Sequence, residues 1–358
     1  VSPYLVKARE THAFITAQLL TPYGSYRANT TTEVNSSFEW YTVSHLYADA
    51  AMVALGDSSY AESMNRTFQW MENMWDGSQV HGGYFGYARP DGTGASGIKY
   101  IDDNSLTGMV FLEAYDVTRG AQQAAYLNKA RACADWVINS GLWDTTFGGG
   151  FWWNTEKQYK PTQSNGLALQ LFLRLYELTG ETYYRDWAIS VNSWLTNRLY
   201  DPSSGLFLWQ FDNTGKKYTE IFTYDNAIMV EAYLLYSQVM HDDTYLSRAQ
   251  TLGRAMNQTL WNPIHNVYIF NTADLRVNGA WCGWASQAMI KLYEADGNAQ
   301  WLAYAKGNID AINRVLRNPT SFGYYQFAGL DGGGRYANLE GVDQAWMQRV
   351  QALLSPYR

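Results

Sequence analysis

Two adjacent carboxylates, Asp102 and Asp103, stand in the segment Tyr100-Ile101-Asp102-Asp103-Asn104-Ser105, between a Gly-rich connector (Asp91 to Gly97) and a long apolar run. A lone Asp at a helix start ordinarily caps free N–H groups and complements the helix dipole. One carboxylate suffices for that, and a second beside it adds repulsion. A close pair of carboxyls splits its two proton affinities, which suits an acid and a base working side by side. Cleavage of a glycosidic bond uses such a pair, one carboxyl to protonate the leaving oxygen and one to attack or to activate water. Neighbours on a helix point about 100° apart, so these two carboxyls can converge on one bond at roughly the separation of a retaining mechanism. Which of the two attacks stays open on this reasoning.

The pair has an echo. Asp103-Asn104 recurs as Asp225-Asn226 in Phe222-Thr223-Tyr224-Asp225-Asn226, also before an apolar run. Asp225 is therefore the main competitor for a catalytic role, with a helix cap as its plain alternative.

These residues need elements to hold them, and the sequence supplies a repeat. An aromatic followed four positions later by a small or apolar residue recurs at intervals of roughly 60 residues: Tyr60…Met64, Tyr126…Ala130, Tyr184…Ala188, Tyr245…Ala249 and Trp301…Ala305. Each pair falls on one face of a helix. Each of these helices follows another that is apolar around most of its circumference, as in Leu167 to Thr179 before Gly180, which marks it as buried. Leu106 to Arg119 and Ala227 to Met240 read the same way. Between hairpins run Gly- and aromatic-rich connectors, some with short alternating stretches such as Gly205 to Trp209 that suit brief strands. About six hairpins from Tyr4 to Leu354 predict an all-α fold, an (α/α)6 barrel with inner helices inside an outer ring, as one domain over residues 1–358. An open solenoid of helix pairs is the alternative packing.

The chain also resembles glycoside hydrolase family 76, the α-1,6-mannanases, from about Trp40 to Trp346. The matching segments are Tyr100 to Asn104, Gly148-Gly149-Gly150-Phe151-Trp152-Trp153-Asn154, Lys160-Pro161-Thr162 to Asn165, Leu171 to Glu177 with Thr179-Gly180, and the Tyr224 segment. The resemblance implies the (α/α)6 barrel, no metal or other cofactor, and retention through two consecutive Asp residues, with Asp102 as nucleophile and Asp103 as general acid/base. It implies an endo-acting hydrolase of an α-mannan-type polysaccharide. Sugar contacts are expected from Tyr84, Asn104, Trp152, Trp153, Asn165, Tyr224, Asp225, Asn226 and Trp281, since aromatic rings stack on the C–H faces of sugars. One departure stands out: where the family commonly shows Tyr-Asn-Gln-Gly, this chain has Tyr224-Asp225-Asn226-Ala227. Detailed specificity is thereby open, and another mannose-containing glycan is an alternative substrate. A wall-glycan transglycosylase, or a sugar-binding protein on the same barrel, is an alternative function.

The bulk numbers exclude other classes. A net charge of −7 with no basic run argues against nucleic acid. No apolar stretch reaches the roughly 20 residues of a membrane span. Cys133 and Cys282 lack partners at metal-ligand spacing and read as buried small side chains, with one disulfide as the alternative. His12, His45, His81, His241 and His265 form no motif, which weighs against sugar epimerisation. Four tripeptides, at Asn29, Asn35, Asn65 and Asn257, fit the N-glycosylation pattern and point to a secreted, extracellular glycoprotein. The start at Val1-Ser2 suits a processed product. The expected partner is a polysaccharide or oligosaccharide, met by a monomer.

Overall fold

The computed structural model describes residues 1–31 and 36–357. Its helices are α1 (Pro3–Gln18), α2 (Glu39–Ala54), α3 (Tyr60–Met71), α4 (Ile101–Asp116), α5 (Gly120–Asn139) and α6 (Thr162–Thr179). They continue with α7 (Thr182–Arg198), α8 (Thr223–Met240), α9 (Asp243–Thr259), α10 (Gly279–Asp296), α11 (Ala299–Leu316) and α12 (Gly341–Leu354). The chain divides into two compact units. One comprises Val1–Met74, Tyr87–Ser96 and Leu260–Arg358; the other comprises Trp75–Gly86 and Gly97–Thr259.

Each unit holds three helical hairpins. In the second unit α4 packs on α5, α6 on α7 and α8 on α9, while α6 packs on both α4 and α8. In the first unit the pairs are α2 with α3, α10 with α11 and α12 with α1, and α12 joins α2 and α10. The helices that touch their counterparts are the ones expected to be buried. From Ser164 to Leu173 every residue of α6 is buried, and at Gly166 a Cβ would come within 2.7 Å of Ile228. The outer helices turn their aromatic and small residues inward: Tyr126, Met64, Ala130, Ala188, Ala249 and Ala305 are all 0% exposed.

The expected helix ends hold closely, with Gly180 in the left-handed conformation closing α6 and Met240 ending α8. The starts lie four or five residues earlier than the apolar runs suggested. The polar segments Asp102 to Ser105, Gln163 to Asn165 and Tyr224 to Asn226 are the first turns of α4, α6 and α8. The α4 helix also stops at Asp116, short of Arg119.

The connectors are short β-hairpins. Tyr200–Asp201 pairs with Leu206–Phe207, Trp261–Asn262 with Val267–Tyr268, and single bridges join Trp75 to Tyr84 and Trp143 to Phe151. One device fastens a hairpin to a helix four times. The Asn104 amide accepts from the Tyr84 N–H (2.8 Å) and donates to the carbonyls of Tyr84 (3.1 Å) and Tyr100 (3.0 Å). Asn165 does the same with Phe151 and Pro161, Asn226 with Phe207 and Phe222, and Gln344 with Tyr324 and Glu340. All four amides are 0% exposed, and each satisfies backbone groups that would otherwise be buried without partners.

Cys133 and Cys282 are both buried and neither is in a disulfide, so the bridge between them does not form. Among the described residues no helix is long and apolar enough to cross a membrane. Asn29 is 4% exposed and its amide oxygen accepts from Thr31, so it is not presented as a glycan acceptor, against expectation. Asn65 and Asn257 are half-buried on α3 and α9. Asn35 lies outside the described residues.

Candidate active site

The first turn of α4 carries the carboxylate pair, and its N-cap residue Tyr100 contributes no side-chain cap. Asp102 is 8% exposed and Asp103 more open. The Trp153 indole Nε1–H donates to Asp102 Oδ1 at 3.1 Å. Burial pushes the Asp102 carboxyl up to about 6, with the Trp153 bond and first-turn backbone N–H groups holding it from going further. Asp103 goes well above the usual carboxylate range, through burial first and then the adjacent charge of Asp102. Between those two ranges one carboxyl is ionised and its neighbour carries a proton, the division of labour that acid-assisted displacement needs.

Around the pair stand aromatic and acidic side chains from the same unit. The Tyr100 ring lies 5.1 Å from that of Trp153. Tyr224, second residue of α8, is 9% exposed, and its phenol is held well above its usual range by burial and the charges of Asp225 and Asp102. Trp209 packs on Phe222 with ring centroids 5.0 Å apart. Asp225 is 0% exposed, and neither of its oxygens has a hydrogen-bond partner. Burial drives its carboxyl well above the usual range, offset only in part by the nearby Gln163 N–H.

Two buried lysines brace the connectors that lead here. Lys160 donates to Asp144 Oδ2 (2.6 Å) and to the Gly149 carbonyl (2.8 Å). Lys99 makes the matching pair with Asp76 (2.6 Å) and the Gly82 carbonyl (2.7 Å). Gly150, at φ 85°, lies where a Cβ would come within 2.4 Å of the Trp194 ring, so a larger residue would lift the connector from its seat.

Of the residues expected at the site, the second unit holds Asp102, Asp103, Trp153, Tyr224 and Asp225 in or near the first turns of α4 and α8. Asn104, Asn165 and Asn226 belong to the same turns, but their amides are committed to the backbone as fasteners, which corrects the expectation of sugar contact. Tyr84 is corrected likewise: it is 0% exposed, between the rings of Trp75 and Phe111. Trp152 is 6% exposed, with Lys160 Nζ 5.3 Å from its ring centre. Trp281 belongs to the other unit, half-buried at the start of α10 and stacked on Trp40 at 4.9 Å. Sequence reasoning missed the brace pairs, although Trp75-Asp76 with Lys99 and Trp143-Asp144 with Lys160 are a visible repeat. It also missed the third echo, Asp343-Gln344, at the same place in α12. Among the described residues no group of three or more His, Cys, Asp or Glu could hold a metal ion.

An ionised and a protonated carboxyl side by side at the start of a buried helix, flanked by aromatic rings, are the equipment of a glycoside hydrolase. The sequence model of Glycosyl hydrolase family 76 matches residues 7–274. This chain belongs to that family.

A mannan endo-1,6-alpha-mannosidase of Candida glabrata is 33% identical over 122 residues, a stretch covering 29% of this chain and 27% of that relative. Among solved structures, a family 76 alpha-mannanase of Bacteroides thetaiotaomicron superposes with TM-score 0.84 at 22% identity, covering 98% of this chain and 95% of that one. A Salegentibacter alpha-1,6-mannanase, in complex with alpha-1,6-mannotriose, gives TM-score 0.75 at 20% identity, covering 98% and 99%. A cellobiose 2-epimerase of Bacillus thermoamylovorans gives 0.78 at 11% identity, covering 97% and 98%. At such identities these likenesses show the fold, which is the (α/α)6 barrel expected from the sequence.

Proposed function

We propose that this chain is a retaining, endo-acting hydrolase of α-1,6-linked mannan, with Asp102 as nucleophile and Asp103 as general acid/base. The observation that carries the reading is the arrangement of the pair: two adjacent carboxyls in the first turn of α4, the Trp153 indole donating to Asp102 Oδ1 at 3.1 Å, with burial raising both and the charge of Asp102 raising Asp103 further. An Asp102 oxygen attacks the anomeric carbon as the glycosidic C–O bond breaks, and the Asp103 proton goes to the leaving oxygen. A water oxygen then attacks the same carbon, its proton passes to the Asp103 carboxylate, and Asp102 departs as a carboxylate. Two displacements restore the original configuration.

The substrate reading draws on the relatives. The Candida glabrata protein is a mannan endo-1,6-alpha-mannosidase, and the Salegentibacter mannanase is inactive when two adjacent aspartates are changed to asparagine. The family match runs through both compact units, which supports treating residues 1–358 as one catalytic domain. A monomer acting outside the cell fits a polymeric substrate, with Asn65 and Asn257 as the half-exposed acceptor sites. Trp153, Tyr224 and Asp225, all of the unit that carries the pair, are the side chains we assign to the sugar.

The test is turnover of α-1,6-mannan by Asp102→Asn and Asp103→Asn. Both should lose several orders of magnitude in kcat, because each removes a chemical role. Only Asp103→Asn should recover its first step on a substrate whose leaving group needs no proton. Near-normal rates in Asp102→Asn, with loss of turnover in Asp225→Asn, would replace the adjacent pair by Asp103 and Asp225 and an inverting mechanism.

A further inference from the structure

We propose that Trp153 is a positioning residue for Asp102: its indole N–H, held in place by the connector, orients the attacking carboxylate, a role separate from any stacking of its ring on sugar. The inference rests on the reading of Asp102 as nucleophile.

The geometry makes Trp153 a fixed donor. Its own N–H donates to the Tyr159 carbonyl (2.7 Å), and its carbonyl accepts from Ile101, first residue of α4 (2.8 Å). Trp153 is therefore tied by backbone both to the following strand and to the helix that carries the pair. One residue back, Trp152 donates to the Leu142 carbonyl (2.8 Å), and the Lys160 brace holds Asp144 and Gly149 of the same connector. An indole fixed at this many points loses little freedom in keeping its N–H 3.1 Å from Asp102 Oδ1.

The chemistry follows from one donor meeting one oxygen. A carboxylate that attacks an anomeric carbon must present one oxygen to it and keep the other occupied. The indole has one donor and no acceptor, so it engages Asp102 as a carboxylate and favours that state. It cannot take up the proton on which Asp103 depends. A stacking residue needs only a flat ring, so the N–H is the part that distinguishes the two roles.

Two substitutions remove the N–H and keep a ring: Trp153→Phe, and 3-benzothienylalanine at position 153, in which sulfur replaces the N–H with the shape unchanged. Each is compared with the wild type in kcat, KM and the pH profile of kcat/KM, with thermal unfolding to establish folding. The acid limb reports ionisation of Asp102, whose carboxyl burial pushes up to about 6. Without the donor the charged form loses a stabilising bond, so the limb moves to higher pH, by about one unit. At a pH below the limb, kcat/KM falls about tenfold through kcat, while KM changes less than twofold. A folded benzothienyl variant with an unmoved acid limb and wild-type kcat overturns the proposal, as does a change confined to KM, which marks the ring as a stacking residue only. Asp102→Asn, assayed alongside, separates the two levels. If it retains turnover, the nucleophile assignment fails; if it is inactive and the benzothienyl profile is wild type, the positioning role alone fails.

Discussion

Replacing Lys160 by Met tests how the connector next to the pair is held. Lys160 and Asp144 are each 2% exposed, with Nζ and Oδ2 2.6 Å apart. Met fills much of the same volume but leaves the Asp144 carboxylate buried without its cation and the Gly149 carbonyl without its donor. Breaking one side of a buried pair costs about 3–5 kcal/mol. Here Asp144 keeps two backbone donors, Thr146 N–H at 2.8 Å and Phe147 N–H at 3.0 Å, which places the expectation near the low end, about 3 kcal/mol. Burial raises the folded Asp144 carboxyl, but the Lys160 bond and those N–H groups more than offset it, so its net position is below the usual value. A depressed carboxylate contributes stability above its unfolded pKa and loses it as pH falls through the folded one. The deficit of Lys160→Met is therefore full at pH 7 and shrinks in strong acid. Urea unfolding followed by tryptophan fluorescence at pH 7 measures it, and adding Asp144→Asn to Lys160→Met should recover part of the loss by removing the stranded charge. A Lys160→Met protein within 1 kcal/mol of wild type, or no recovery in the double variant, refutes the reasoning.

Two further substitutions separate holding from binding. Asn165→Ala strands three buried backbone groups, the Phe151 N–H and carbonyl and the Pro161 carbonyl, and should cost about 2–4 kcal/mol in unfolding experiments; an unchanged stability with a raised KM would return Asn165 to the sugar-contact role. Asp225→Asn concerns pH: burial raises the folded carboxyl above its unfolded value, so the wild type loses stability as pH climbs toward the folded pKa. The variant should gain on wild type with rising pH, by about 1.4 kcal/mol per unit in that window, and a constant difference between pH 4 and 8 in thermal scans would contradict a raised Asp225 carboxyl.

The hairpin repeat was legible because apolar periodicity and left-handed helix ends such as Gly180 are local signals. The apolar runs marked the bodies of α4, α6 and α8 but not their first turns, because Asp102, Asn165 and Asp225 are polar yet buried there. The fasteners were misassigned for a related reason. Asn104, Asn165 and Asn226 lie beside the carboxylates, and nothing in the sequence shows that their amides face the preceding β-hairpin. Tyr84 and Trp152 look like sugar platforms in a Gly-rich connector, but the connector folds back and buries them. The pair itself was visible, since two consecutive carboxylates at a helix start have no structural need of each other. What distinguishes the two was not, because it depends on their burial and on the Trp153 indole that donates to Asp102 from 51 residues away in sequence.

The most direct test of the central claim is to trap the covalent intermediate. A fluorinated α-mannosyl substrate with an activated leaving group slows release of the glycosyl-enzyme, and mass spectrometry of the digested protein locates the label. The label is expected on Asp102, with a mass gain of one glycosyl unit, and the first product formed in its absence should keep the α configuration by NMR. A label on Asp103 or Asp225, or no label with a β-configured product, would contradict the assignment of Asp102 as the nucleophile of a retaining enzyme.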